Sequence, residues 1–215
     1  MEKQGKIALV LGATGLVGGE LVEQLLNSPY YREVVAFVRR PFERKHAKLR
    51  QEVLDFDQPD AAKIRGDDLF CALGTTLSKA GSKDVQYRID CLYPAQIGLL
   101  ARQNGVRQYL LVSALGAKAD SSNFYLRTKG DLEEKIKGLQ FENFVTARPS
   151  LLLGERTEFR LAEKIGSGFA RLFAPVIPRK YRGIEGSKVA AALIALANQV
   201  LRGFRALESD ELQEY

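Results

Sequence analysis

The chain has 215 residues, of which 46% are hydrophobic and 27% charged, and its formal net charge is +6. This length and composition are typical of one globular domain with a full core. All apolar runs are shorter than the roughly 18–20 residues of a membrane span, so we expect no membrane association. Two cysteines and one histidine are too few for a centre built from several such ligands, and we expect no metal site.

The N-terminal residues lack the anatomy of a secretory signal, so we expect a cytoplasmic protein with Cys71 and Cys91 as thiols. Basic residues are mixed with acidic ones, and no basic motif interleaved with aromatic residues occurs. We therefore expect no nucleic-acid partner. His46 lies in a basic stretch and is a poor candidate for a Ser-His-Asp triad.

Short apolar runs alternate with segments of helical periodicity over about the first 150 residues. Strands are predicted within 7–11, 33–41, 51–58, 67–76, 107–117 and 141–150, and helices within 16–29, 84–105 and 121–138. Strands that are apolar on both faces and separated by helices predict a parallel sheet covered on both sides. The fold class is therefore α/β, a Rossmann-like doubly wound parallel sheet.

The last third of the chain changes character. An amphipathic helix is predicted over 157–173, an irregular segment over 174–186, and an apolar helix over 187–201 with Ser187 as its N-cap. No linker composition separates this part from the rest. We expect a single domain over 1–215, with 155–186 as a small lid on the substrate side.

A glycine-rich turn joins the first strand to the first helix. Such a turn lets backbone N–H groups approach a pyrophosphate at a helix N-terminus. Its spacing is G-x-x-G-x-x-G, and the Gly-Lys-Ser/Thr of a mononucleotide loop is absent. The residues predicted to bind the cofactor here are Gly12, Thr14, Gly15, Leu16, Val17 and Gly18.

The second strand ends in Arg39 and Arg40. A carboxylate at this position takes the ribose 2′-hydroxyl of NAD, whereas guanidinium groups suit a 2′-phosphate. The sequence therefore predicts that NADP(H) is preferred over NAD(H).

Among eight tyrosines, only Tyr125 has a lysine four positions later, Lys129. Positions i and i+4 share one face of a helix, and a nearby ammonium favours the phenolate form of tyrosine. Such a tyrosine can exchange a proton with a carbonyl oxygen. Ser113, at the carboxyl end of the fifth strand, is expected to hold that oxygen as a hydrogen-bond donor.

The glycine turn, Ser113, Tyr125 and Lys129 together resemble the short-chain dehydrogenase/reductase superfamily. The strings "FCALGTTLSKAG", "SSNFYLRTKGDLEEKI" and "ARPSLLLGE" are similar to its atypical branch, which includes the Tat-interacting protein family of small NADPH-binding members. The resemblance implies that the cofactor also meets Asp55, Phe56, Leu73, Gly74, Thr75, Thr76, Lys129 and Pro149. Pro149 is followed by Ser150 where the family usually has glycine, and Asp90 stands where many members have asparagine.

The leading hypothesis is an NADP(H)-dependent oxidoreductase that acts on a small carbonyl or alcohol, with Ser113, Tyr125 and Lys129 as catalytic residues. The alternative is a catalytically silent NADPH-binding regulator that reports redox state to a protein partner. A cysteine-dependent semialdehyde dehydrogenase fits poorly, because such enzymes need a second, large catalytic domain and a Cys-His arrangement, and neither cysteine has a histidine near it in the sequence. Aromatic and arginine residues within 155–186 leave both apolar and anionic substrates open.

Overall fold

The computed structural model describes residues 5–153 and 178–215. The strands are β1 (Lys6–Leu11), β2 (Tyr31–Val38), β3 (Leu49–Val53), β4 (Asp68–Cys71), β5 (Gln108–Val112), β6 (Asn143–Arg148), β7 (Leu152–Leu153), β8 (Ile184–Glu185) and β9 (Gly203–Glu208). The α-helices are α1 (Leu16–Asn27), α2 (Leu77–Ala80), α3 (Lys83–Tyr87), α4 (Tyr93–Gln103), α5 (Phe124–Gly138), α6 (Gly186–Ala197) and α7 (Ser209–Leu212).

Seven strands form one parallel sheet in the order β3-β2-β1-β4-β5-β6-β9. Successive strand residues point to opposite faces, and each face has its own apolar cluster. One cluster unites α1 and α6 with residues such as Val10 and Val145, while the other includes α4 and α5 with Leu9 and Leu111. The doubly wound α/β fold predicted from the sequence is confirmed.

From β1 the chain adds strands β2 and β3 on one side of the sheet, and from β4 it adds β5 and β6 on the other side. The strand order therefore changes direction between the neighbouring strands β1 and β4. In open parallel sheets, ligands bind in the crevice outside the carboxyl ends of the strands at such a switch point. The predicted apolar segments ran past the strands into this crevice, because residues 72–76 and 113–117 form the loops that follow β4 and β5. In the loop after β5, Ala114 and Ala117 are buried as strand residues would be, which accounts for the longer prediction there.

The predicted helix over 84–105 contains a π-helical turn, Arg88–Leu92, between α3 and α4. The N–H of Tyr93 donates to the carbonyl of Arg88, five residues earlier. Pro94 has no N–H to give to Asp90, and its ring crowds that carbonyl, so the wider turn relieves a clash. The turn fixes Asp90 on the inner side of the helix, where it is fully buried.

Two features differ from the sequence prediction. Helix α6 begins at Gly186 with Glu185 as its N-cap, so Ser187 is not the cap; its hydroxyl lies beside the Glu185 carboxylate at 3.4 Å. Gly186 allows this earlier start because a Cβ there would stand 3.2 Å from Leu16 of α1.

Strand β9 is an unpredicted edge strand beside β6, and its mixed polar sequence reflects its exposed side.

The helix predicted over 157–173 lies outside the described residues. The described part of the 155–186 segment consists of a short 3₁₀ turn, Arg179–Tyr181, and β8, which pairs with β7 in a small second sheet.

Candidate cofactor and substrate site

The turn after β1 is shaped by two glycines. Gly12 has φ of +81°, and a Cβ on it would stand 2.5 Å from the carbonyl oxygen of Ala72 in the loop after β4. A Cβ on Gly18 would stand 1.9 Å from the carbonyl oxygen of Gly12. A side chain on Gly18 would therefore push α1 away from the sheet edge. A side chain on Gly12 would close the crevice between the two loops.

The N-terminus of α1 is free of protein side-chain partners among the described residues. Its N-cap is Gly15, which offers no side chain, and its first turn contains no acid. Thr14 is exposed beside it, Leu16 is half-buried and Val17 is buried. The first N–H groups of α1 and the positive end of its dipole therefore lie at the crevice, the arrangement that the predicted phosphate contact requires.

Arg39 and Arg40 follow β2, which is adjacent to β1 in the sheet. Both side chains are exposed, and neither forms an ion pair with any residue that the structure describes. Nearby Arg44 and Arg50, by contrast, are paired with glutamates. Two unpaired guanidinium groups thus stand beside the glycine turn, at the same edge of the sheet.

Asp55 and Phe56 follow β3 and differ in environment. The Asp55 carboxylate is exposed and accepts a hydrogen bond from the N–H of Asp57 at 2.9 Å. Phe56 is buried and lies against the Tyr93 ring, with 5.8 Å between the ring centroids. The adenine contact implied by the family resemblance remains a prediction for this pair.

The loop from Leu73 to Thr76 runs from β4 toward the Tyr-Lys helix. The N–H of Thr75 donates to Oδ1 of Asp90 at 2.7 Å, and Thr76 caps α2. A Cβ on Gly74 would stand 3.5 Å from Nζ of Lys129 and 3.6 Å from Oδ2 of Asp90. The fold therefore brings the predicted phosphate-side loop next to the predicted catalytic lysine.

Tyr125 and Lys129 lie on one face of α5 but differ in exposure. Tyr125 is 40% exposed, and its hydroxyl forms no hydrogen bond within the described part of the chain. Lys129 is 4% exposed, with Nζ 6.0 Å from the centroid of the Tyr125 ring. Burial acts to lower the pKa of Lys129. Its electrostatic interactions with Tyr125 and then with Asp90 outweigh this effect, so the pKa is raised and the ammonium persists.

Asp90 is the acidic neighbour of this lysine. It is fully buried, Oδ1 accepts only the Thr75 N–H, and Oδ2 has no hydrogen-bond partner among the described residues. Burial raises the pKa of Asp90, while the charge of Lys129 and the Thr75 N–H act against that rise. Asp90 and Lys129 therefore interact electrostatically across the floor of the crevice without a direct hydrogen bond.

Ser113 follows β5 and is only 4% exposed. Its hydroxyl donates to Oε1 of Glu133 at 2.6 Å, and Glu133 is in turn paired with Arg148. Neither Glu133 nor Arg148 was singled out from the sequence. The available signal was the spacing, because Tyr125, Lys129 and Glu133 follow one another at intervals of four along α5.

A cavity of about 370 Å³ opens at this edge of the sheet. Ser113 and Tyr125 both contribute to its wall, as does Pro149, whereas Lys129 lies behind Tyr125. Its lining residues are Ser113, Ala114, Leu115, Tyr125, Leu126, Pro149, Ser150, Leu151, Leu152 and Tyr181. The wall is predominantly apolar, which suits a small organic molecule with few polar groups.

In residues 5–153 and 178–215, no three acidic, histidine or cysteine side chains are grouped as metal ligands would be. Within the same residues, no helix has the length and apolarity needed to cross a membrane.

The sequence matches the family model for NAD(P)H-binding proteins over residues 12–169. It is 33% identical to Protein HTATIP2 of Rattus norvegicus over 204 residues, covering 92% of this chain and 82% of that protein. It is 34% identical to Protein FMP52, mitochondrial, of Saccharomyces cerevisiae over 193 residues, covering 84% of this chain and 80% of that protein.

Solved structures agree on the fold. MoeE5 in complex with UDP-glucuronic acid and NAD superimposes with a TM-score of 0.73 at 21% identity, covering 93% of this chain and 75% of that one. The dTDP-4-dehydrorhamnose reductase of Bacillus anthracis in complex with NADP gives a TM-score of 0.65 at 15% identity, covering 97% and 76%. Identities this low establish the architecture alone.

The relatives correct one expectation. Fungal relatives from Aspergillus and Saccharomyces are named mitochondrial, which contradicts a purely cytoplasmic location. The expectation failed because it relied on the absence of a secretory signal, which does not distinguish between compartments inside the cell. The family assignment, by contrast, is confirmed: this chain belongs to the NAD(P)H-binding proteins of the atypical short-chain dehydrogenase/reductase superfamily, together with HTATIP2 and FMP52.

Proposed function

We propose that this chain is an NADP(H)-dependent oxidoreductase that interconverts a small carbonyl compound and its alcohol. One observation carries the proposal. Tyr125 lines the cavity and its hydroxyl has no hydrogen-bond partner in the described chain, while the buried ammonium of Lys129 lies 6.0 Å from the centroid of its ring. A phenol in this position is free to exchange a proton with a ligand, and the ammonium stabilises the phenolate that results.

The crevice fits a dinucleotide. Gly12 and Gly18 allow backbone approaches that a Cβ would prevent, and the uncapped N-terminus of α1 offers N–H groups to phosphate. The unpaired Arg39 and Arg40 beside this turn support a preference for NADP(H), because a 2′-phosphate takes bidentate contacts from guanidinium groups. Leu73, Gly74, Thr75 and Thr76 would border the cofactor on the side of β4.

When bound, the nicotinamide supplies or accepts a hydride. The chain's own residues do the rest. Tyr125 gives its proton to the carbonyl oxygen in reduction and takes it back in oxidation, while Lys129 favours the charged phenolate. Ser113 and the apolar wall orient the substrate, and the burial of Lys129 keeps its ammonium out of bulk water, where its effect on Tyr125 is less screened.

The test is a titration of the purified chain with NADPH and with NADH, followed by a screen of small ketones and aldehydes for NADPH oxidation. We expect selective NADPH binding and turnover of at least one carbonyl. Failure to bind either nucleotide contradicts the cofactor assignment. Selective binding without turnover of any carbonyl contradicts the enzymatic proposal and supports the regulatory alternative, which a search for NADPH-dependent protein partners would then address.

A further inference from the structure

The hydroxyl group of Ser113 already donates its hydrogen bond to another residue of the protein. Its Oγ lies 2.6 Å from Oε1 of Glu133, which is 1% exposed. Arg148 donates to both carboxylate oxygens of Glu133, from Nε at 3.1 Å and from Nη2. A carboxylate held by a bidentate guanidinium is ionised and has no proton to give, so the hydrogen between Ser113 and Glu133 belongs to Ser113.

Ser113 also lines the cavity, and there it offers only acceptor capacity. A hydroxyl has one donor and two acceptor sites, and the donor is used by Glu133. A hydrogen bond to an ionised carboxylate is about twice as strong as one between neutral groups. A neutral ketone oxygen therefore does not replace Glu133 as the acceptor of the Ser113 hydrogen bond. Ser150, the other serine of the cavity wall, likewise donates to a backbone carbonyl, that of Arg182.

We infer that the substrate of this site brings its own donor, a hydroxyl on the carbon next to the reacting carbonyl, and is therefore an α-hydroxy ketone or aldehyde. This inference rests on the proposed carbonyl-reducing function. The substrate hydroxyl donates to Oγ of Ser113, and the carbonyl oxygen accepts from the Tyr125 phenol. The remainder of the substrate is apolar, to match Ala114, Leu115 and Leu152 in the wall.

Glu133 and Arg148 are positioning residues in this arrangement. They lie behind Ser113 and fix the direction of its proton without lining the cavity. A pair with a purely structural role would, when replaced, change the reaction of all carbonyl substrates by a similar factor. A pair that sets the polarity of Ser113 instead changes the ratio between substrates with and without a hydroxyl.

The test uses three ketones of similar size with the full chain and NADPH. The first, 2-hydroxyacetophenone, has the adjacent hydroxyl; propiophenone replaces it with methyl; 2-methoxyacetophenone keeps the electron-withdrawing oxygen but has no donor. We expect kcat/KM for the hydroxy ketone to exceed that for the methoxy ketone by roughly tenfold or more, the usual effect of one buried hydrogen bond. Dissociation constants of the same compounds for the NADP⁺-saturated protein should show the same ranking, with the hydroxy ketone bound more tightly than the methoxy ketone.

Two variants locate the cause. Ser113→Ala removes the acceptor, and the hydroxy-to-methoxy ratio should fall about tenfold. The double variant Glu133→Met with Arg148→Met removes both charges together, so that neither is left buried and unpaired, and it frees the Ser113 proton. In this variant the ratio should also fall, and kcat/KM for propiophenone should rise. If the double variant does not fold, the Ser113→Ala ratio decides alone.

Equal kcat/KM for the hydroxy and methoxy ketones in the wild-type protein overturns the inference and leaves the proposed function intact. A Ser113→Ala variant that slows all three ketones by one factor also overturns it, because Ser113 would then act as a general donor. If none of the three is reduced, the proposed function fails for this class, and the binding constants decide the inference: preference for the hydroxy ketone supports it, and equal affinity overturns it.

Discussion

Two buried aspartates, at opposite edges of the sheet, show how differently this chain treats a carboxylate. Asp68, at the start of β4, accepts from Lys6 at 3.0 Å, Tyr31 at 2.7 Å and Gln108 at 2.8 Å. Asp90, near the carboxyl ends of the strands, accepts only the Thr75 N–H, and its Oδ2 has no partner within residues 5–153 and 178–215. Burial raises the pKa of both.

The difference lies in how far the protein itself pairs each carboxylate. The Asp68 carboxylate accepts from three side chains of the protein, as is usual for a buried polar group in a stable core. Around Asp90 the protein leaves a carboxylate oxygen, the Lys129 ammonium, the Tyr125 hydroxyl and the N-terminus of α1 without hydrogen-bond partners among the described residues. Unsatisfied groups cost stability, and their grouping around Asp90 favours a ligand site there. Two further buried side-chain oxygens lack a hydrogen-bond partner among the described residues, Oδ1 of Asn143 and Oγ1 of Thr146, and both lie on β6.

The largest effect is expected at Tyr125. Tyr125→Phe keeps the ring beside Lys129 but removes the proton donor, so kcat for any accepted carbonyl should fall by about 10²–10⁴-fold. NADPH affinity, measured by fluorescence titration, should change little, because the phenol acts on the substrate. Tyr30→Phe is the matched control, since Tyr30 is 57% exposed and lies at the other edge of the sheet. Full turnover by Tyr125→Phe would mean that the phenol hydroxyl takes no part in the reaction.

Gly18 should be the most sensitive glycine of the open edge. Gly18→Ala places a methyl group 1.9 Å from a backbone carbonyl oxygen, so we expect a loss of about 3–4 kcal/mol in the free energy of unfolding, with weakened NADPH binding. Gly138→Ala is the control: it meets nothing within 4 Å at the end of α5 and should stabilise the fold by about 0.5–1 kcal/mol. Urea unfolding measures both, and equal responses would contradict the close approach at the turn.

The two aspartates themselves give the direct comparison. Asp68→Asn leaves the Lys6 ammonium without its charged partner and should lower the free energy of unfolding by about 2 kcal/mol at pH 7. Asp90→Asn removes a poorly satisfied carboxylate and should cost at least about 1 kcal/mol less than Asp68→Asn. Similar losses in the two variants would remove the distinction between the edges.

The pH dependence of Asp90→Asn sharpens this test. The pKa of Asp90 is raised above its ordinary value of 3.8, so the folded protein binds that proton more tightly than the unfolded chain does. Its contribution to stability is therefore greatest below pH 3.8 and falls as the pH rises through the raised pKa. The variant lacks this fall, so its stability relative to wild type should increase from acidic to neutral pH in urea unfolding series.

The last prediction concerns cofactor choice. Replacing both Arg39 and Arg40 with alanine should weaken NADPH binding by about 10–100-fold and leave NADH binding nearly unchanged, because only the 2′-phosphate contact is lost. The double variant Arg65→Ala with Arg107→Ala controls for net charge, since both arginines are exposed and precede β4 and β5 at the opposite edge. An unchanged ratio of NADPH to NADH affinity in the double variant would contradict the predicted preference.

Much of this protein was determined by local sequence. The alternation of apolar runs and helical segments gave the parallel α/β fold, because period and burial are local properties. The glycine turn and the Tyr125–Lys129 spacing were also readable, because a tight turn and one helix face each involve a few consecutive residues. Strand β9 was missed because an edge strand has one exposed side and loses the apolar signature.

Only the tertiary structure decided the polarity of the site. The sequence suggests Ser113 as a donor at a strand end. The packing of α5 against β6, however, places the Glu133–Arg148 pair beside it, and the Ser113 hydroxyl donates its hydrogen bond to Glu133. The π-helical turn sets Asp90 facing Lys129, and the sheet brings Gly74 beside both. Hydrogen-bond direction and burial depend on partners that are distant along the chain, so they emerge only when the sheet and its helices are assembled.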